Sequence, residues 1–199
     1  MLNQNFVIVG AIIATIGGAS YLIETLKGKV KPNRVSYFLW SLAPLIAFFA
    51  ELKQGVGLQS LMTFMVGFLP LTTFIASFVN KNAEWKLTSF DVTCGALSVV
   101  GLILWSITKS GNIAIVFSIL ADALAALPTI VKAFNYPETE IAWPYFTATI
   151  SAGLTLLTIK VWDFAVYAFP LYILLVTLVI SSLVQFKLGR LLHFSSKKS

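Results

Sequence analysis

The sequence predicts an all-α polytopic membrane protein with seven transmembrane helices. Three observations predict it. Hydrophobic residues make up 58% of the 199 residues and charged residues only 11%, where a soluble domain carries about 25% charged residues. The mean hydropathy is +0.88, more apolar surface than one water-soluble core of this size can hide. The apolar residues also fall into seven separate runs, each near the ~20 residues that carry a helix across ~30 Å of hydrocarbon.

The runs lie at 6–26, 35–52, 58–79, 90–108, 113–134, 141–159 and 164–186. Short connections separate them, most marked by turn-forming residues: Gly28 and Pro32, Gly55 and Gly57, Gly111 and Asn112, Asn135 and Pro137. The first run follows an N-terminal stretch, 1–5, without a positive charge. It is longer than a signal-peptide core, so it is expected to be a genuine span.

Basic residues set the expected orientation. Seven spans place Lys53, Lys109 and Lys160 on the N-terminal side and the other eleven of the 14 Lys and Arg residues on the opposite side. Loops rich in Lys and Arg stay in the cytosol. The N-terminus is therefore expected outside and the C-terminus in the cytosol, in a cell membrane (plasma or inner). The net charge of +6 then concerns topology. The basic residues form no dense face of the kind that binds phosphates, so nucleic acid is not an expected partner.

The chemistry of sites is thin. One cysteine, Cys94, and one histidine, His193, build neither an intrachain disulfide nor a thiolate or imidazole metal cage. No phosphate loop, catalytic triad or facing carboxylate pair is present. No cofactor, metal or enzymatic activity is expected.

Seven spans divide as three, one and three, giving two units that point the same way. The expected segments are 1–81 for the first three-helix bundle, 82–111 for the linker helix, 112–187 for the second bundle, and 188–199 for a basic cytosolic tail. A shift of 106 residues lays Leu22 on Pro128, Val35 on Ile141, Ser36 on Ala142 and Tyr37 on Trp143. Both units run from a helix end through a proline-containing loop, Pro32 or Pro137, to an aromatic residue at the start of the next helix.

The run YLIETLKGKVKPNRVSYFLW at 21–40 resembles the first repeat of the PQ-loop/SWEET-like membrane proteins, and LPTIVKAFNYPETE at 127–140 resembles the second. The resemblance spans nearly the whole chain. The family's Pro-Gln pair stands here as Pro128-Thr129 in span five and Leu22-Ile23 in span one. Spans three and seven lack the asparagine expected of sugar-carrying members. The resemblance implies transport of a small solute by alternating access, or a receptor or chaperone-like binding protein on the same fold.

Asp122 is the most informative residue. It lies at the centre of span five, where an ionised carboxylate costs about 3 kcal/mol or more. It is expected to be protonated, hydrogen-bonded (Ser118 lies on its own face), or facing a wet cavity. In the functional reading it couples transport to a proton or binds a cationic cargo. Trp40, deep in span two, offers a stacking surface. Tyr167 and Tyr172 in span seven offer hydroxyls at cavity depth, with Thr63 in span three and Thr147 in span six beside them.

Pro128 removes a hydrogen bond from span five and frees the Leu124 carbonyl. Pro44, Pro70, Pro144 and Pro170 fall inside spans two, three, six and seven, and such prolines permit rocking or are simply common in membrane helices. Pro128, Pro44 and Pro144 are the expected hinges. Glu24, Tyr37 and Trp143 sit near the cytosolic ends. Glu24 either pairs with Lys27 in water or lines a gate, and the two aromatics either anchor at the interface or gate. Asp91 is expected to cap span four. Glu138 and Glu140 are expected in water and Lys132 to snorkel. Gly17-Gly18 permits close helix contact. Small solute, proton and lipid bilayer are the expected partners, with homo-oligomerisation left open.

Overall fold

Local capping chemistry fixes where the helices begin and end. In the computed structural model, which describes residues 2–107 and 111–190, the chain is helical and no strand occurs among the described residues. The helices are α1 Phe6–Leu26, α2 Arg34–Lys53, α3 Ser60–Ala76, α4 Ser89–Ile107, α5 Gly111–Asn135, α6 Trp143–Thr158 and α7 Phe164–Phe186. Two 3-10 turns, Lys81–Ala83 and Pro137–Thr139, lie in the α3–α4 and α5–α6 connections. Lys109, His193 and most of the basic tail expected at 188–199 lie outside the described residues.

Asn33 begins α2. Its side-chain oxygen accepts from the backbone N–H groups of Val35 and Ser36, satisfying donors that a helix start leaves open. Its amide nitrogen donates to Asp91 Oδ1 at 2.9 Å. Asp91 in turn opens α4, its Oδ2 accepting from the Thr88 backbone N–H and hydroxyl at 2.6 and 2.9 Å. One buried pair thus starts two helices together. At the far end of the chain, α7 stops where Lys187 turns left-handed, at φ 49°.

Polarity is arranged inside out relative to a water-soluble bundle. Along α1, Ile8, Ile12, Ile16 and Ile23 are exposed while Gly10, Ala14, Gly17 and Tyr21 are buried. Val92, Val99, Val100 and Ile103 of α4 and Leu175, Leu178 and Val179 of α7 are also exposed. The buried set includes Thr63, Ser98, Ser118, Asp122, Thr129, Thr155 and Lys132. So large an exposed aliphatic surface is stable in hydrocarbon and not in water. Helices α1, α2, α5 and α7 are each long and apolar enough to cross a membrane. This is the surface and the helix set of a membrane protein.

Helix packing is set by small residues, which let backbones approach where no hydrophobic effect drives helices together. A methyl added to Gly17 would lie 1.8 Å from Thr147 Oγ1 of α6, and one added to Gly18 would lie 2.9 Å from Leu69 of α3. The glycine pair therefore seats α1 against two helices at once. Helices α2 and α5 are also in contact, and the fully buried Ala43 of α2 shares one core cluster with Ala121 and Ala125 of α5.

The neighbours of each helix follow a pattern. Helix α3 packs on both α1 and α2, and α7 packs on both α5 and α6. Helix α1 packs on α6, and α2 packs on α5. Helix α4 lies against α5 and, to a lesser extent, α2. The loops meet in two groups. Lys31 N–H donates to Thr139 O, Asn80 donates to Leu26 O, and Arg190 pairs with Glu138 at 2.6 Å. The α1–α2, α3–α4 and α5–α6 connections and the end of α7 therefore share one end. At the opposite end Leu2 N–H donates to Leu157 O, and Gly111 abuts Gln54.

Candidate functional site

A cavity of about 120 Å³ lies within the bundle, lined by side chains from α1, α2, α3, α5, α6 and α7. That is room for several waters or a small solute. Its wall is mostly apolar, with Met62, Met65, Val66, Leu69 and Ile173 prominent.

Asp122 lines this cavity from the middle of α5 and is 1% exposed. Its Oδ2 accepts a 2.6 Å hydrogen bond from the Tyr172 hydroxyl of α7. Its Oδ1 has no protein partner. The hydrogen bond thus comes from Tyr172 of another helix rather than from Ser118, whose own hydroxyl is buried and unpartnered. The Asp122 backbone carbonyl accepts from Trp40 Nε1 at 3.4 Å, so α2 holds the α5 main chain at the level of the acid.

Aromatic rings close the cavity toward the α1–α2 and α5–α6 loops. Tyr21 stacks on Tyr37 with centroids 5.3 Å apart, and Trp40 lies edge-on to Tyr37 at 5.3 Å and to Tyr145 at 6.5 Å. The Tyr37 and Tyr145 hydroxyls meet at 3.3 Å. Behind them sits Glu140. Its Oε2 accepts from Tyr21 at 2.8 Å and from Tyr145 at 3.1 Å, and its Oε1 pairs with Lys132 Nζ at 2.6 Å. Lys132 also donates to the Lys31 carbonyl and lies 4.8 Å from the Trp85 ring centroid. Both charged side chains are at most 1% exposed. Helices α1, α2, α5 and α6 are tied together here with the three connections that carry Lys31, Trp85 and Glu140.

This network corrects two expectations. Glu140 is sealed inside the protein rather than solvated, and Lys132 pairs with it rather than reaching for the interface. Hydroxyl, ammonium and carboxylate groups that satisfy one another are more stable inside than any of them alone. Glu138 does stay at the surface, half-exposed against Arg190.

The other sequence candidates are dispersed. Tyr172 and Trp40 meet Asp122, and Tyr37 joins the ring cluster. Tyr167 packs on Trp162 and Phe164 near the start of α7, away from Asp122. The Thr147 hydroxyl bonds the Pro144 carbonyl and faces Gly17. Glu24 pairs with Lys27 at 3.0 Å and Lys29 at 3.2 Å near the surface. Trp143 is 52% exposed beside Phe146. Pro128 and Pro44 are buried inside α5 and α2. Pro144 lies in the first turn of α6, not within a span, because a helix start tolerates the missing N–H. It lines the cavity, as does Pro70.

Thr63 leads to a residue that the sequence reading passed over. Its hydroxyl donates to Glu51 Oε1 at 3.0 Å. Glu51 is 1% exposed near the end of α2, and its Oε2 has no protein partner. Its signal was helical spacing: Trp40, Pro44, Ala47 and Glu51 repeat at the interval of one helix face, and all four are buried. Tyr145 was legible in the same way, three residues into α6 where Tyr37 stands four residues into α2.

Comparison with protein-family models, with curated proteins and with solved structures found no match for the chain.

Proposed function

We propose that the chain is a seven-span carrier of the cell membrane that moves a small solute by alternating access. The reading takes α1–α3 and α5–α7 as two parallel units joined by α4, with the N-terminus outside and the C-terminus in the cytosol. Its support is the pattern of neighbours. The third helix of each unit packs on the other two, and the contact of α1 with α6 is the counterpart of the contact of α5 with α2. A two-fold relation between the units produces that pairing. It also brings Tyr37 and Tyr145, each at the start of a second helix, hydroxyl to hydroxyl.

One observation carries the functional reading: Asp122, on the wall of a cavity that both units line, has a buried carboxyl oxygen without a protein partner. Burying such a group is costly and leaves a hydrogen-bond acceptor unfilled. A site that binds a solute or a proton makes use of both. Carriers built from repeats place their sites at this depth and between the units. The tyrosine cluster and the Lys132–Glu140 pair then form the closed gate on the cytosolic side. Transport requires this network to part, and Pro128 and Pro44, on the two helices that cross between the units, are the places where α5 and α2 can bend.

The test is uptake into proteoliposomes holding the purified chain, offered a labelled pool of small amines, polyols and amino acids. Saturable uptake of at least one component is expected. Ligand-dependent thermal stabilisation without flux of any component would overturn the carrier reading in favour of a receptor or chaperone-like binding protein.

A further inference from the structure

The wall of the cavity is chemically lopsided. Asp122 is the one acid on it, and no lysine, arginine or histidine lines it among the described residues. The buried ammonium of Lys132 lies behind the tyrosines and is already bonded to Glu140. Asp122 Oδ2 is occupied by Tyr172 while Oδ1 is buried without a partner. A buried carboxyl oxygen calls for a donor, and a solute that brings an N–H supplies one. The cytosolic end of the same cavity is made of the rings of Tyr21, Tyr37, Trp40 and Tyr145, and aromatic faces attract cations. The acid and the rings favour the same sign of charge independently.

We propose that the cargo is a small ammonium compound that donates an N–H to Asp122 and carries no carboxylate. An acid group on the solute would meet no cation in this cavity and would lie beside the carboxyl of Asp122. The volume of about 120 Å³ is well below the ~300 Å³ at which sites for drug-sized molecules begin, which limits the solute to a few heavy atoms. Ethanolamine combines these features. The inference rests on the carrier reading of the cavity.

The test compares four probes on the purified full-length chain at neutral pH and constant ionic strength: ethanolamine, its uncharged analogue ethylene glycol, its anionic analogue glycolate, and tetramethylammonium, which has the charge without an N–H. Ethanolamine is expected to raise the thermal midpoint in a saturable way. Ethylene glycol and glycolate are expected to leave it unchanged, and tetramethylammonium to act more weakly than ethanolamine. Asp122→Asn is expected to remove the ethanolamine shift. No shift with ethanolamine, or an equal shift with ethylene glycol or glycolate, overturns the inference, and this comparison needs no variant.

Counterflow of labelled ethanolamine in proteoliposomes separates this inference from the reading beneath it. Ethanolamine that binds without flux overturns the carrier and leaves the cation site standing. Saturable flux of ethylene glycol with none of ethanolamine overturns the cation site and leaves the carrier standing.

Discussion

Asp122→Asn is expected to lower solute uptake by about ten- to a hundredfold while the chain still folds. The substitution keeps the size of the side chain and an oxygen to accept from Tyr172, whose hydroxyl donates to Oδ2 at 2.6 Å. It removes the capacity for negative charge, and hydrogen bonds to charged groups are worth about 1.5–3 kcal/mol. The main chain has a separate anchor, because Trp40 Nε1 bonds the backbone carbonyl of residue 122 rather than its side chain. The change in thermal stability should therefore be small beside the change in initial uptake rate. Both are measured on one preparation. Full uptake by a folded Asp122→Asn protein would remove the acid from the transport site.

Glu140→Gln is expected to be the most destabilising single polar substitution in the chain, by about 3–5 kcal/mol, the usual penalty for stripping the counter-ion from a buried charge. Lys132 would retain the Lys31 carbonyl and the Trp85 face, neither of which carries a neutralising charge. For a chain of this size the loss corresponds to a fall of roughly 6–20 °C in the thermal midpoint. Lys132→Met combined with Glu140→Gln should be less damaging than Glu140→Gln alone, since no ammonium is then left unpaired. Additive losses in the double variant would mean that the two groups are not coupled.

The apolar runs 6–26 and 164–186 coincide with α1 and α7 to the residue, because they are long and end in polar residues. It was less accurate where a helix end is decided by tertiary contacts. The apolar run of span three extends over 58–79, but α3 ends at Ala76. The residues that follow turn beneath Arg34, which bonds the Ser77 carbonyl at 2.8 Å and stacks on Phe78, and hydropathy does not register such a turn. The apolar run of span six begins two residues before α6, since Ile141 and Ala142 are apolar but precede the helix start that Pro144 favours.

The site divides in the same manner. Asp122 was legible because a charge in the middle of an apolar run has few explanations. Glu140 and Lys132 were not, because eight residues and Pro137 separate them and both flank a loop, where charged residues are normally solvated. Their burial comes from the approach of α1, α2 and α6, which supply the tyrosines. Pairings of that range leave no mark on a single sequence. The constant 106-residue shift matched Tyr37 to Trp143, while the structure pairs it with Tyr145. The α5–α6 loop holds a 3-10 turn, Pro137–Thr139, and a uniform offset does not follow the helix starts across it.

A carrier must expose the Asp122 cavity to each side in turn, and a single engineered thiol reads out that exposure. Ala148 lines the cavity from α6, so Ala148→Cys introduces little bulk, and Cys94→Ser removes the native thiol, which is buried in α4. The protein is treated with a membrane-impermeant methanethiosulfonate carrying a quaternary ammonium group, in right-side-out and in inside-out vesicles. The account predicts modification from both faces, slowed by the transported solute, and faster from the cytosolic face when Lys132→Met and Glu140→Gln unlock the gate. Modification from one face only under every condition, or from neither, would contradict it.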